Sequence, residues 1–448
     1  MDAGAAGDHR RLKAAVYASA CTVAGMAPHW LPASQSFWPA IVLAVLLGGY
    51  SIRTVLLESL RKRSDLQQAS APLDPPSAWP AVDVVVAARD EQAVITRLIE
   101  HLADLRYPAG QLRLWVVDDG SSDRTPELLA QLQQRFAQLQ VVRREADAGG
   151  GKSGALNLVL QQLQGRWMLV LDADAQLQSD TLERLIPVAE RGGWAAVQLR
   201  KAVANSDVNL LTRAQAMEMA LDAVIQQGRL AVGGVAELRG NGQLLRRDAL
   251  IASGGFNEAT VTDDLDLSFR LLVHGHGIGV QWDPPVREEA VLTLAALLRQ
   301  RQRWAEGGLQ RFFDYGSALL SNRLSTAQQL DLLCFFLLQY AMPMLAAADL
   351  LGALVTRTLP CIWPLSIVAL GLSGLAIVSG CLRPSEGPPL PRMTPFAMGL
   401  GIVYLVHWFV VIPWVTLRMA VLPKRLVWAK TLHLGEIGDD EPDLAAPA

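Results

Sequence analysis

Four groups of residues have types and spacings that could do chemistry. Asp118-Asp119-Gly120-Ser121-Ser122-Asp123 and Asp172-Ala173-Asp174 each follow an apolar run. Two carboxylates at i and i+2 leaving a strand can share one hard divalent cation, and a diphosphate would supply further oxygens. Asp also makes turns and caps helices, so one such cluster alone decides nothing. Two of them at successive strand ends favour a nucleotide–metal site. Thr262-Asp263-Asp264 opens an amphipathic helix (LDLSFRLLVHG), where acids are often only caps. Leu292 to Phe313 mixes apolar residues with Arg299, Arg301, Arg303 and Arg311. It reads as a helix lying on a membrane surface, basic toward headgroups, which leaves Gln300, Arg303 and Trp304 open to a second role.

A glycine-rich turn imitates a dinucleotide site. Gly149, Gly151 and Gly154 match GxGxxG, with Asp172 near the spacing of a ribose-binding acid. The turn comes third in the strand order rather than first, however, and the acid belongs to a DxD. A phosphate loop ending in Gly151-Lys152-Ser153 would need glycine at position 146, where Ala146 stands. Lys152 at this helix start can still meet a phosphate.

Alternating elements position these groups. Strands are expected at Val82 to Ala87, Leu112 to Val117, Val141 to Val142 and Trp167 to Leu171. Helices are expected at Glu91 to Leu105, up to Leu132, at Gly154 to Leu163 and at Thr181 to Ala189. Such alternation gives an α/β domain with a mostly parallel sheet. Ligands bind beyond the carboxyl ends of such strands, which is where the Asp clusters fall.

The rest of the chain is more apolar than a soluble enzyme. Of 448 residues, 51% are hydrophobic and only 19% charged, against a usual charged share of about 25%. The mean hydropathy is +0.23. A net charge of −3 argues against a nucleic-acid partner. Cys21, Cys334, Cys361 and Cys381 lie scattered in apolar stretches without CxxC spacing, as small core residues do. Phe37 to Leu57 is long enough to span a bilayer, and Ala14 to Leu31 is a weaker candidate broken by Pro28 and His29. Leu332 to Val355, Ile362 to Cys381 and Phe396 to Leu417 add three more apolar runs. Arg10, Arg11 and Lys13 before the first candidate, and Arg61, Lys62 and Arg63 after the second, place the middle of the chain in the cytosol. Three C-terminal spans would leave Lys424, Arg425 and Lys430 outside, so one run is re-entrant or a span is missing from this count. The expected organisation is a membrane region at 1–65 with one or two spans, a linker at 66–80 and a catalytic domain at 81–290. Interfacial helices at 291–325, transmembrane helices at 326–422 and a tail at 423–448 follow.

Taken together, these residues resemble the membrane-bound glycosyltransferases of family 2, the group of cellulose, hyaluronan and poly-N-acetylglucosamine synthases. The family's motifs occur in order: Asp119 in DDGSSD, Asp172-Ala173-Asp174 as DxD, Thr262-Asp263-Asp264 for the usual T-E-D, and Gln300-Arg301-Gln302-Arg303-Trp304 as QxxRW. The departure is Asp263 for Glu, which leaves Asp264 in the base position. Within the family, GGKSGALN, NGQLLRR and TDDLDLSFRL look most like the monoglucosyldiacylglycerol synthases of photosynthetic bacteria.

The resemblance implies a cytosolic GT-A (Rossmann-like) catalytic domain flanked by transmembrane helices, in a multi-pass membrane protein. It implies inverting transfer of a hexose, glucose in that subgroup, from a UDP-sugar to diacylglycerol; the alternative is a processive polysaccharide synthase. Ala88 and Glu91 would lie near the nucleotide, Asp119 would accept from the uracil imide, and Lys152 would meet the phosphates. Asp172 and Asp174 would position the sugar diphosphate, with Asp174 on Mg²⁺ or Mn²⁺ and Asp172 beside it. Asp264 would be the base, Asn241 would line the acceptor end, Arg303 would face the diphosphate with Gln300, and Trp304 would stack on the acceptor.

Overall fold

A computed structural model describes residues 7–68 and 78–422. Most of the expected linker and the whole expected tail, with Lys424, Arg425 and Lys430, lie outside the described residues.

The chain begins with helices α1 (Gly7–Met26) and α2 (Trp38–Gln68), joined through a short 3₁₀ turn at Ala27–Trp30. The catalytic domain follows, starting with β1 (Val82–Ala88), α3 (Ile95–Ala103), β2 (Leu112–Asp119), α4 (Thr125–Arg135) and β3 (Leu139–Arg144). Next come α5 (Gly151–Leu160), β4 (Trp167–Leu171), α6 (Thr181–Gly192), β5 (Ala196–Val203) and α7 (Leu210–Ala231). β6 (Gln243–Arg246), α8 (Arg247–Ala252), α9 (Asp263–Val273) and β7 (Ile278–Glu288) complete it.

The seven strands form one sheet in the order β3-β2-β1-β4-β6-β5-β7. β6 runs antiparallel to both β4 and β5, and every other pairing is parallel. β1 reads VDVVVAA and is buried along its whole length, as a strand covered on both faces must be. Alternate residues feed opposite layers. Val82, Val84 and Val86 pack with Leu98, Ile99, Leu185 and Ile186 from α3 and α6. Val85 and Ala87 pack with Leu156, Val159, Leu267 and Leu271 from α5 and α9.

The last helices are α10 (Leu294–Leu319), α11 (Thr326–Phe336), α12 (Met342–Thr356), α13 (Trp363–Cys381), α14 (Pro395–Leu405) and α15 (Trp408–Val421). A π-turn at Leu337–Ala341 joins α11 to α12 without a break. Among the described residues, four helical runs are long and apolar enough to cross a membrane: Trp38–Val55, Thr326–Thr356, Trp363–Cys381 and Pro395–Val421. The expected run at Ala14 to Leu31 is not one of them, because α1 carries charge at its start and the helix ends before Pro28.

Polar contacts on either side of the Pro395–Val421 run tie it to the catalytic domain and to α10 and α1. Shortly before it, Glu386 pairs with Arg184 at 2.7 Å. At its end Arg418 pairs with Glu306 of α10, and the Val421 carbonyl accepts from Arg11 at 2.8 Å. The run stays helical where α14 gives way to α15, since Val406 and His407 both keep right-handed helical angles.

One expectation needs correction. The arginines of α10 do not form one face toward headgroups: Arg301 and Arg311 are buried, held by Glu218 and Glu237. Desolvating a guanidinium requires such a partner, and Glu218 and Glu237 are supplied by residues remote in sequence. Asp349 is buried; it accepts from Cys361 N at 2.7 Å, Ile362 N at 3.1 Å and His29 Nε2 at 2.9 Å. It caps the start of α13 and ties it to the α1–α2 turn.

Candidate active site

The carboxyl ends of β1 and β4 meet the first turns of α5 and α9 around a cavity of about 530 Å³. Glu91, Lys152, Asp172, Asp174, Asp264, Gln300, Arg303 and Trp304 all line it. Ala88, Asp119 and Asn241 are not on its wall. Ala88 is buried at the end of β1, in register with Asp118.

The turn before α5 explains how Lys152 arrives there. Gly149, Gly150 and Gly151 have φ of +71°, +68° and +51°, and a side chain at Gly150 would collide with Glu258. This left-handed turn starts the helix three residues earlier than the sequence suggests, so Lys152 sits in the first turn. Its Nζ donates to Asp172 Oδ1 at 2.5 Å and to the Gly240 carbonyl at 3.2 Å. Burial works to lower the lysine pKa, but Asp172, Asp263 and Asp264 outweigh it and keep the ammonium charged.

The DxD follows β4 directly. The buried Asn241 accepts from the Asp172 N–H through Oδ1 at 3.1 Å, and donates to Glu288 Oε2 at 3.3 Å. It thus braces the DxD from behind. Asp174 is 5% exposed, and its Oδ2 accepts from Glu289 N at 2.9 Å. Hard carboxylate oxygens two residues apart on one cavity wall suit a divalent cation. Asp119 lies at the end of β2, where Arg144 Nη1 donates to its Oδ1 at 2.6 Å. Burial nevertheless leaves the Asp119 pKa raised, against the pull of Arg144 and Arg89.

Asp264 stands in the first turn of α9, with its carboxylate close beside Gly240 on the cavity wall. Burial pushes its carboxyl up, and Asp263 adds to this; the Leu265 N–H, Lys152 and Arg239 pull the other way. The result is a pKa of about 6. A carboxylate so tuned is ionised at neutral pH and still basic enough to take a proton.

Sequence reasoning missed the support beneath this wall. Glu237 receives Arg239 and Arg311, each at 3.0 Å, and these two with Arg229 hold its carboxyl down at about 2 despite burial. Arg239 also pairs with Asp222 at 2.9 Å. This fixes the loop that carries Gly240 and Asn241. These residues come from separate elements at no regular spacing, so only their unusual charge within apolar stretches could have drawn attention.

The QxxRW segment lies on α10. The Arg301 guanidinium stacks 3.9 Å from the Trp304 ring centroid, with Lys201 Nζ 5.4 Å from the same ring. Glu218 anchors Arg301 and also accepts from Tyr404 OH at 2.7 Å and Trp408 Nε1 at 3.1 Å. Gly307 and Gly308 follow one turn later. A side chain on Gly307 would collide with Thr262, and one on Gly308 with Tyr340 of the π-turn. Two adjacent glycines thus let α10 touch the TDD loop on one side and a membrane helix on the other.

Comparison with known proteins agrees with this architecture. Residues 80–307 match the family described as "Glycosyltransferase like family 2". The chain is 45% identical over 435 residues to the beta-monoglucosyldiacylglycerol synthase of Synechocystis sp., covering 95% of this chain and 88% of the relative. It is 43% identical over 397 residues to the protein of the same name from Trichormus variabilis, covering 88% and 83%. The fold is similar to that of the mannosyltransferase PcManGT from Pyrobaculum calidifontis, solved in complex with GDP-Man and Mn²⁺. That likeness has a TM-score of 0.53 at 21% identity, covering 84% of this chain and 99% of the other. The mostly parallel sheet, the helices on both its faces and this match of sequence and structure make the chain a GT-A-fold member of glycosyltransferase family 2.

Proposed function

We propose that the chain transfers glucose from UDP-glucose to the free hydroxyl of diacylglycerol, with inversion, giving a β-glucolipid. The observation that carries this reading is Asp264 on one cavity wall with Lys152 and the DxD, in a chain whose relatives over nearly its full length bear a glucolipid synthase name. Asp264 removes the acceptor proton as the acceptor oxygen attacks the anomeric carbon. The new C1–O bond forms on the face opposite the breaking C1–O bond to the β-phosphate, and UDP leaves. Lys152 and Arg303 offset charge on the departing diphosphate. Asp119 receives the uracil, Ala88 and Glu91 flank the nucleotide, Gln300 stands with Arg303 at the diphosphate, and Trp304 stacks on the acceptor. Asn241 fixes the backbone of Asp172.

Asp174 would hold a divalent cation, Mg²⁺ or Mn²⁺, with Asp172 beside it; when bound, the ion acts as a Lewis acid on the diphosphate. The hard-oxygen chemistry of the pair supports this assignment.

A cytosolic catalytic domain in a multi-pass protein is supported by basic residues beside it: Arg10 pairs with Glu306, and Lys13 Nζ donates to the Phe313 carbonyl at 2.5 Å.

The test is direct. Purified protein given radiolabelled UDP-glucose and diacylglycerol in detergent should yield a chloroform-soluble product with one hexose. Water-soluble label that stays at the origin of a lipid chromatogram and yields to a polysaccharide hydrolase would replace this reading with a polymer synthase.

A further inference from the structure

The cavity does not stop at the catalytic acids. Its wall continues into the membrane helices through Leu338, Pro343, Leu370 and Phe409. Two polar side chains interrupt this apolar part: Gln339, inside the π-turn, and Ser373, midway along α13. Among the described residues neither side chain has a hydrogen-bond partner. At membrane depth an unpartnered amide is costly, so such a group is retained where a ligand or water meets it. The π-turn is a second pointer, since an inserted residue of this kind is frequent at functional sites. It also sits where α10 touches both the TDD loop, through Gly307, and Tyr340, next to Gln339.

We propose that Gln339 and Ser373 are the polar anchors of a lipid-acceptor subsite. Their amide and hydroxyl donate to the ester carbonyls of a glycerolipid, whose acyl chains lie along Leu338, Pro343, Leu370 and Phe409. The free hydroxyl at the other end of the glycerol is thereby held toward Asp264. A growing polysaccharide is a poor fit here, because a sugar chain needs hydrogen-bonding side chains along its whole path. This inference rests on the glucolipid reading above and names how the lipid is held.

The experiment measures glucosylation of dioleoylglycerol in mixed micelles by Gln339→Leu and Leu370→Trp, with the affinity for UDP-glucose measured alongside. Gln339→Leu keeps the volume but removes the donor, and should raise KM for dioleoylglycerol about tenfold while kcat changes less. Gln339→Asn should recover part of that loss. Leu370→Trp should fill the chain site and raise the same KM, with UDP-glucose affinity unchanged in all three. A wild-type enzyme that makes the glucolipid, with variants whose KM stays within about twofold, overturns the subsite and leaves the function standing. A wild-type product that is a water-soluble polymer overturns both. If a variant loses UDP-glucose affinity and so misfolds, crosslinking on the wild type decides. A diacylglycerol with a photoreactive group in its acyl chain should label Leu337–Ala341 or Trp363–Cys381; label confined to other segments refutes the proposal.

Discussion

Lys152 Nζ lies 2.5 Å from Asp172 Oδ1 and so links the first turn of α5 to the end of β4 across the cavity. Each group comes from a different motif, and each is oriented by the other before any nucleotide arrives. Lys152→Ala removes a charge-assisted contact and should weaken UDP-glucose binding about tenfold or more. The double variant with Asp172→Asn should lose less than the two single losses combined, because the partners act as a unit. Strict additivity in binding titrations would show that the two groups act separately.

Asp264→Asn should lower kcat by about a hundredfold to ten-thousandfold, the usual worth of a general base. Affinity for UDP-glucose should be almost unchanged, since the acceptor hydroxyl is the proposed target of this carboxylate. Turnover within tenfold of the parent protein would remove Asp264 from the role of base.

The pH profile has a defined sign. A base must be ionised to act, and burial with Asp263 pushes the Asp264 carboxyl up to about 6. Activity should therefore be level above that pH and fall as the pH drops through it, approaching about tenfold per unit well below. This limb should be absent in the residual activity of Asp264→Asn. A rate that stays flat to pH 4 would contradict the assignment.

Chelation of divalent metal should silence turnover, and Mg²⁺ or Mn²⁺ should restore it. Asp174→Asn should weaken metal-dependent UDP binding, read by calorimetry with and without the ion. Full activity in excess EDTA would exclude the cation from the reaction.

Glu218→Ala would leave the Arg301 guanidinium, which is 1% exposed, without its carboxylate partner. Stripping one member of a buried ion pair costs about 3–5 kcal/mol. A matching drop in thermal stability in detergent should accompany loss of activity. An unchanged melting temperature would mean that solvent or another acid reaches Arg301.

The strands that present the DDGSSD loop and the DxD were legible because each is a short apolar run closed by acids, and a parallel sheet buries such runs on both faces. Trp167–Leu171 matches its expected bounds for this reason. β6 was not visible: Gln243–Arg246 is four residues long, polar at both ends, and becomes a strand only by pairing with β4 and β5. The α5 start was misplaced because left-handed glycines can begin a helix that apolar periodicity does not announce. Lys152, the DxD and Asp264 could be picked out by type and spacing. Glu237 and Gln339 could not, since one gains its meaning from Arg229, Arg239 and Arg311 gathered around it by the fold and the other from the helices around it.

Gly307 and Gly308 leave no slack between the TDD loop and the π-turn. A shift of Tyr340 caused by a thicker or more tightly packed bilayer has no compliant joint to absorb it before it reaches Thr262 and, two residues on, Asp264. The proposed base is thus coupled to the membrane helices through the same helix that borders the active site, a route by which lipid packing would reach turnover.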